Sequence, residues 1–298
     1  MANNHAKMYW IQAISPLHVG SGKGVGFIDM PIMREKVTNW PVVPGSAVKG
    51  VMRDHFTYYK KVPSDLIDIA FGKEGTDPQS NAGSLVLTDA RIICMPVRSL
   101  YGTFAFVTSR FVLERLKKDL VAAGFTGIPA TIPSPKDGDA LCGEDPVIVS
   151  GNTILFEDLD FTATINNAEA TAWAEKLAEW IYPGNPDWQK IFRERFAILS
   201  DDCFGFMTEN GTEVAAHIKI DDIRKIAAGQ ALWYEEALPS ESVLAGIAWC
   251  DRLNASKASG QSGTDQKKIF DTFFTGELNL QIGGKATVGK GRVRCFFS

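Results

Sequence analysis

Short runs of alternating apolar and β-branched residues recur along the chain and predict a series of strands. They occupy residues 8–14, 84–96, 103–108, 154–165, 204–207, 214–220, 231–238, 243–250, 278–282 and 292–297. The first run combines β-branched residues with apolar alternation, so we expect it to be a strand of the core.

Apolar residues at helical spacing predict helices between these strands. The helices cover residues 46–58, 110–123, 168–181, 187–196 and 267–274. In the first of them, Ser46 is placed as an N-cap directly after Pro44-Gly45. The elements follow the order β-α-β-β-α-β with long insertions, which predicts an α+β, ferredoxin-like core. This fold hosts many functions and specifies none of them.

Three segments interrupt the pattern. Residues 16–44, here called the front loop, contain the glycine-rich run 20–26 and are expected to cross the surface as a long functional loop. Residues 124–150 are rich in glycine and proline and predict a poorly structured insertion. The dipeptide Asn210-Gly211 predicts a hairpin turn.

Composition limits the possible functions. A chain of 298 residues with 45% apolar composition can bury a substantial core. Its formal net charge of −4 argues against coating nucleic acid through overall charge, so RNA binding would need local basic patches. The five cysteines lack a C-x-x-C pair, which favours buried free thiols. Apolar runs are too short to cross a membrane, and we expect a cytoplasmic protein.

Residues 283–292, here called the glycine loop, read GGKATVGKGR between two predicted strands. P-loops and dinucleotide-binding loops lead from a strand into a helix, so this context excludes both. Glycines permit close backbone approach and expose N–H donors, while Lys285, Lys290 and Arg292 supply cations. The loop is therefore suited to a polyanionic backbone, and an ordinary glycine turn between edge strands has the same pattern.

The glycine loop resembles the C-terminal signature of the RAMP superfamily of CRISPR RNA-binding proteins. Near the front of the chain, LHVGSG, IDMPIMRE and PVVPGSAVKGVMR are similar to the backbone subunits of type III complexes. MPVRSLYGTF at 95–104 and LWYEEALP at 232–239 are similar to the Cmr-type, or type III-B, subunit in particular. The resemblance covers residues 8–298, apart from the insertion at 124–150.

This resemblance implies a filament of several copies along a guide RNA. Each copy would have a modified ferredoxin-like (RRM-like) palm, formed as a single domain over 1–298, and a β-hairpin thumb at about 205–239. The thumb would kink the guide–target duplex, and such bending brings a 2′-OH into line with the adjacent phosphate. The implied partners are guide RNA, complementary target RNA, other Cmr subunits and further copies of the chain, and no membrane.

The resemblance assigns target cleavage first to Asp29 in the front loop. A carboxylate beside phosphate is unfavourable unless it recruits a cation, so Mg²⁺ or Mn²⁺ is the expected cofactor and Asp29 its ligand. His18 is an accessory candidate for proton transfer or phosphate contact. Either Glu235 or Glu236 corresponds to a functional acid of the family.

Candidate RNA contacts lie near both ends of the chain. They are Arg34, Ser46, Lys49, Arg53, Lys285, Lys290 and Arg292. Lys49 and Arg53 are one turn apart on the first helix, where the helix dipole also favours guide phosphates. Trp233 or Tyr234 either stacks on a displaced base or packs in the core.

The sequence leaves two other functions open. One is a structural filament subunit that binds guide RNA without cutting it. The other is a metal-independent ribonuclease that matures guide precursors by general acid–base chemistry. The related III-A subunit shares the front segments and is expected to lack the WYEE sequence at 233–236.

Overall fold

The fold is described from a computed structural model that covers residues 6–22, 24, 26–73, 80–220, 227–254 and 265–298. The strands are β1 Ala6–Ala13, β2 Val42–Val43, β3 Gly72–Lys73, β4 Asn81–Ala82, β5 Val86–Leu87, β6 Ala90–Arg98, β7 Phe104–Ser109, β8 Asp139–Cys142, β9 Thr153–Phe156, β10 Leu159–Thr164, β11 Phe196–Leu199, β12 Glu213–Ile220, β13 Ala227–Ala237, β14 Val243–Trp249, β15 Glu277–Gln281 and β16 Arg292–Phe297. The helices are α1 Gly45–Asp54, α2 Ser64–Phe71, α3 Arg110–Ala122, α4 Ala168–Ile181, α5 Pro186–Glu194, α6 Asp201–Asn210 and α7 Gln266–Phe273. A π-helical turn, His55–Tyr59, extends α1.

One twelve-stranded sheet organises the molecule. Its order is β15-β16-β1-β14-β6-β7-β11-β8-β10-β9, with β2 paired to β6 and β5 paired to β14. Strands β12 and β13 form a separate two-stranded hairpin, and β3 and β4 form a second small pair. Mixed strand directions with helices packed on the sheet confirm the predicted α+β class.

Strand β1 lies inside this sheet, with β14 and β16 antiparallel on either side. Successive side chains of a strand point to opposite faces. Trp10 stacks on Trp180 of α4 with ring centroids 6.3 Å apart. Tyr9, on the other face, contacts Phe297, which packs on Phe274 at the end of α7. The predicted core strand is therefore confirmed, and helices cover both of its faces.

Side-chain caps fix where the predicted helices α3 and α4 begin. The Asn167 side chain accepts a hydrogen bond from the Ala170 N–H at 2.8 Å, which satisfies a donor that the first turn of α4 leaves free. At the start of α3, the Asp201 carboxylate accepts from the Phe111 N–H at 2.9 Å. Both helices are confirmed within one residue of their predicted ends.

The predicted strand at 204–207 and the predicted hairpin turn at Asn210-Gly211 are both wrong, because this segment is helix α6. Asn210 is the last residue of α6 and Gly211 follows it as the C-cap. Ser200 caps this helix, since its hydroxyl accepts from the Cys203 N–H at 3.2 Å. Phe204 and Met207 lie one turn apart and are buried, so helical packing prevails over the local turn signal.

The expectation of a poorly structured insertion over 124–150 is wrong for residues 139–142. This segment is strand β8, which pairs antiparallel with β11 and parallel with β10. Ala140 and Cys142 alternate as its buried positions, and burial in the sheet explains the strand despite the surrounding glycines and prolines. The single strand predicted at 154–165 is instead the tight antiparallel pair of β9 and β10.

The hairpin of β12 and β13 projects from the main sheet, within the segment assigned to the thumb. Its register pairs His217 with Trp233. The end of β13, residues 233–237, is called the hairpin base here, and the following Leu238 exchanges backbone hydrogen bonds of 2.8 and 2.9 Å with Leu17. Residues 221–226 of the predicted thumb lie outside the described chain.

The glycine loop connects β15 to β16, as the sequence predicts, and so does not lead from a strand into an α-helix. It includes a short 3₁₀ turn at Ala286–Val288. Among the helices that the structure describes, none combines the length and the apolar character needed to span a bilayer.

Candidate functional site

The hairpin base brings together three segments that are distant in sequence. The front loop runs beside β13, where the Met30 N–H donates to the Tyr234 carbonyl and the Glu236 N–H donates to the Met30 carbonyl, both at 3.0 Å. The glycine loop closes from another side, since the Gly284 N–H donates to the His18 carbonyl at 2.9 Å. All four predicted catalytic residues belong to these segments.

Asp29 is exposed at this junction and is held in place by the backbone. Its Oδ2 accepts a hydrogen bond from the Tyr234 N–H at 2.8 Å. The bond orients the carboxylate and the side chain remains accessible to solvent. The Asp29 carboxylate is therefore held in one orientation at the surface. A divalent cation could bind there, with waters and phosphate oxygens as its other ligands.

Glu235 is almost fully buried at the hairpin base, with 1% of its side chain exposed. Two ammonium groups of the glycine loop approach it, that of Lys290 at 2.8 Å from Oε1 and that of Lys285 at 3.0 Å from Oε2. Burial alone would raise the pKa of Glu235, but the hydrogen bonds and charges of Lys290 and Lys285 outweigh it and lower the pKa. Two predicted RNA contacts are therefore paired with a predicted catalytic acid.

Glu236 points to the opposite face of β13 and is also buried. Its Oε1 lies 2.5 Å from the Arg34 guanidinium, and its Oε2 accepts from the Ile32 N–H at 3.0 Å. The same guanidinium donates to the carbonyls of Asn39 and Thr208 at 2.9 and 3.0 Å. Glu236 and Arg34 thus tie the front loop to β13 as a structural ion pair.

His18 lies beneath the glycine loop and is 3% exposed. Its Nδ1 is 2.6 Å from the Glu236 carbonyl oxygen, which can only accept, so Nδ1 carries the proton and Nε2 is the free ring nitrogen. Glycines are required around it, because a Cβ at Gly283 would lie 2.2 Å from the His18 carbonyl oxygen and one at Gly20 would lie 2.9 Å from Nε2. The histidine is enclosed by the two glycine-rich segments.

His217 is a neighbour of this cluster that sequence reasoning missed. Its ring stacks on Trp233 with centroids 5.5 Å apart, and its Nε2 is 3.8 Å from Oε2 of Glu235. The ammonium of Lys285 lies 6.0 Å from the centre of the Trp233 ring. The register of the hairpin places His217 directly opposite Trp233. His217 can be identified from the sequence only once this register is known.

The predicted RNA contacts on α1 do not join this cluster. Helix α1 begins at Gly45, whose N–H donates to the Asp89 carboxylate at 2.8 Å, so the prediction of Ser46 as the N-cap is wrong. Ser46 is exposed in the first turn. The Lys49 ammonium donates to the Leu85 carbonyl at 2.6 Å, and burial lowers the pKa of Lys49.

Arg53 and Arg292 lie outside this cluster. Arg53 is half-buried in the last turn of α1. Arg292 opens β16 with an exposed side chain, and its N–H donates to the Ser15 hydroxyl at 3.0 Å. Both therefore remain predictions as RNA contacts, separate from the ion pairs of the hairpin base.

In the described chain, no three histidine, cysteine or acidic side chains are grouped closely enough to hold a metal ion by themselves. A cation at Asp29 would therefore be completed by water and substrate oxygens, which is the usual ligation of Mg²⁺ in phosphoryl chemistry. An exposed carboxylate with one anchored oxygen fits that arrangement.

Comparisons with known proteins cover nearly the whole chain. The model of the RAMP superfamily matches residues 10–294. The Cmr endoribonuclease Cmr4 of the CRISPR system of Pyrococcus furiosus is 33% identical over 292 residues, which are 97% of this chain and 94% of that protein. The crystal structure of oligomeric Cmr4 from the same organism has a TM-score of 0.76 at 29% identity, covering 99% of this chain and 98% of the other.

A third similarity concerns the fold alone. A chain in the cryo-EM structure of a type III-B Cmr-beta complex bound to cognate target RNA has a TM-score of 0.75 at 21% identity. The match covers 100% of this chain and 98% of the other. The fold of the whole chain therefore recurs in that structure.

Proposed function

The chain belongs to the RAMP superfamily, and we propose that it is the RNA-cleaving backbone subunit of a type III-B CRISPR ribonucleoprotein. In this role several copies bind a guide RNA, and the assembly cuts complementary target RNA at regular intervals. The observation that carries the proposal is the exposed carboxylate of Asp29, anchored at the junction of the front loop and the hairpin base. The partners are guide RNA, target RNA, further copies of the chain and other Cmr subunits.

One relative supports this role in sequence and in structure. The P. furiosus protein that is 33% identical over nearly the full length is named as a Cmr endoribonuclease, and its crystal structure is described as oligomeric. Guide–target pairing supplies sequence specificity in such systems, so the protein needs to recognise the RNA backbone and its shape. Local cations then suffice, which is compatible with a net charge of −4.

Cleavage depends on Asp29 and a divalent cation. Asp29 would hold a Mg²⁺ or Mn²⁺ ion, which would supply neutralisation of the phosphate charge when bound. The Tyr234 N–H holds the Asp29 carboxylate where it can recruit this ion. The hairpin displaces a nucleotide from the duplex, and the distortion brings its 2′-OH into line with the neighbouring phosphate.

His18 contributes beside that carboxylate. Because Nδ1 donates to the Glu236 carbonyl, Nε2 is the nitrogen available to accept a proton or, when protonated, to donate to a phosphate oxygen. Gly20 and Gly284 pack close to the ring, where a larger side chain at either position would crowd it. Glu235 acts indirectly, by holding Lys285 and Lys290 at the hairpin base.

The test is cleavage of labelled complementary RNA by the assembled complex, with and without Mg²⁺, using Asp29→Asn. The amide oxygen still accepts from the Tyr234 N–H, so the substitution removes the charge and retains the anchor. We expect regularly spaced products from the unaltered protein. For the variant we expect a loss of rate at least as large as the roughly 10- to 100-fold cost of disturbing the support of a metal ligand.

The matched control is Asp158→Asn, at an aspartate with 98% of its side chain exposed on another part of the surface. RNA binding by both variants is measured in parallel. Equal cleavage by the two variants would refute the role of Asp29. Cleavage that persists in EDTA would refute the requirement for a divalent cation and favour general acid–base chemistry.

A further inference from the structure

A cavity of about 740 Å³ lies apart from the hairpin base, between the end of α1, its π-helical turn and strands β15 and β16. Pockets of roughly 300–1,000 Å³ accommodate small organic groups. Val51, Leu280 and Val293 contribute apolar lining. Arg292 is the one predicted RNA contact among the described residues that line this cavity. Asp29 and the Glu235 cluster therefore form a different site.

Two stacked rings form one wall of the cavity. His55 and Tyr59 have ring centroids 5.7 Å apart and planes inclined by 28°. Tyr59 is 80% exposed, so most of its ring is available to a ligand. Flat aromatic ligands, including nucleobases, stack on such rings whatever their sequence.

His55 and Asp54 are polar residues of this region. Nε2 of His55 is buried and has no hydrogen-bond partner in the described chain. Burial, followed by the charge of Lys60, lowers the pKa of His55. Asp54 lines the cavity and is an acceptor for donor groups at the edge of a base.

Of the two arginines that line the cavity in the described chain, one is open to a ligand. Arg294 is occupied, since it lies 2.8 Å from Glu277 and donates to Gln12 at 2.7 Å. Arg292 is exposed on the cavity lining and ends the glycine loop. A guanidinium in this position suits a phosphate.

We propose that this cavity binds one unpaired nucleotide of RNA, with its base on Tyr59 and His55 and its phosphate at Arg292. The inference rests on the proposed RNA-binding function. The glycine loop links the two sites, because it carries Lys285 beside the hairpin base and ends with Arg292 at the cavity. An RNA strand that leaves the hairpin base along this loop reaches the cavity.

The test compares Tyr59→Ala with Tyr58→Ala in the full chain. Tyr58 is the adjacent, 70% exposed tyrosine and does not line the cavity, so it is a matched control. A fluorescein-labelled single-stranded RNA and a fully paired duplex of equal length are titrated, with anisotropy as the readout. We expect Tyr59→Ala to weaken single-strand binding by about 5- to 100-fold, as loss of one stacked base does, and to leave duplex binding unchanged.

Photo-crosslinking locates the contact. With 4-thiouridine in the single strand, we expect the crosslinked peptide to contain Tyr59 in the unaltered protein. Equal single-strand affinities of the two variants, or crosslinks only to other peptides, would overturn the cavity proposal while RNA binding itself stands. If the unaltered protein bound neither RNA, the proposed RNA-binding function would be refuted. Cleavage by the Asp29→Asn complex tests the proposed cleavage role separately.

Discussion

The two faces of β13 hold adjacent carboxylates in opposite ways. Glu236 is paired with the rigid guanidinium of Arg34 and with a backbone N–H, whereas Glu235 is paired with two lysines from the glycine loop. An arginine fork and a main-chain donor fix a geometry, while ammonium groups on flexible stems are point charges that can exchange partners. Burial and pairing are therefore common to both acids, and the two differ in the identity of their partners.

Removing the arginine tests the structural face of β13 and should give the largest effect. Arg34→Ala leaves the Glu236 carboxylate buried without its ion-pair partner. Breaking a buried pair from one side costs about 3–5 kcal/mol, so we expect the free energy of unfolding to fall by that amount in urea titration. The control is Arg98→Ala, where a guanidinium with 68% of its side chain exposed pairs with surface acids and should change stability by about 0–1 kcal/mol. Equal losses would show that the Arg34 pair behaves as a surface contact.

Removing one lysine tests the other face and should give a smaller effect. Lys290→Met keeps most of the side-chain stem and removes the charge 2.8 Å from Glu235, while Lys285 remains. Loss of a hydrogen bond to a charged group costs about 1.5–3 kcal/mol, and the remaining lysine places this variant at the lower end. Lys285→Met, at a side chain 31% exposed compared with 16% for Lys290, should cost less. A larger loss for Lys285→Met in the same urea assay would reverse the assignment of the dominant partner.

The smallest expected effect is a difference in the pH dependence of stability between the unaltered protein and Glu235→Gln. The lysines lower the pKa of Glu235 in the folded protein below its ordinary value of 4.5. The unfolded chain therefore binds more protons in this range, and the stabilisation is present above the unfolded pKa and is lost as pH falls through the folded pKa. Relative to Glu235→Gln, we expect the unaltered protein to lose more unfolding free energy between neutral pH and pH values below 4.5. Parallel curves for the two proteins would contradict the lowered pKa.

The sequence names the segments of this site but does not show how they meet. The segments at Asp29, Glu235 and the glycine loop are distant along the chain, and only their resemblance to a family connects them before the fold is known. Their convergence depends on backbone pairing of the front loop with β13, which no local pattern specifies. For the same reason, the assignment of roles between Glu235 and Glu236 required the structure.

Local sequence patterns give the wrong element or helix start where tertiary packing or a cap from a distant residue determines the structure. Asn210-Gly211 is a turn signal in isolation, yet burial of Phe204 and Met207 selects a helix. Ser46 has the right residue type for an N-cap, but the helix starts one residue earlier and Asp89 supplies the acceptor. Apolar residues at helical spacing predicted α3 and α4 correctly, because the same residues form the faces that these helices bury.

The hairpin also leaves a backbone edge open. Strand β12 pairs only with β13 in the part of the chain that the structure describes, so its outer side presents unsatisfied peptide groups. Such an edge is a template for unwanted association with another chain, and natural proteins guard it with charged side chains. Glu213, His217 and Lys219 occupy alternate positions of β12, and ionisable groups at this spacing oppose uncontrolled strand addition and aggregation.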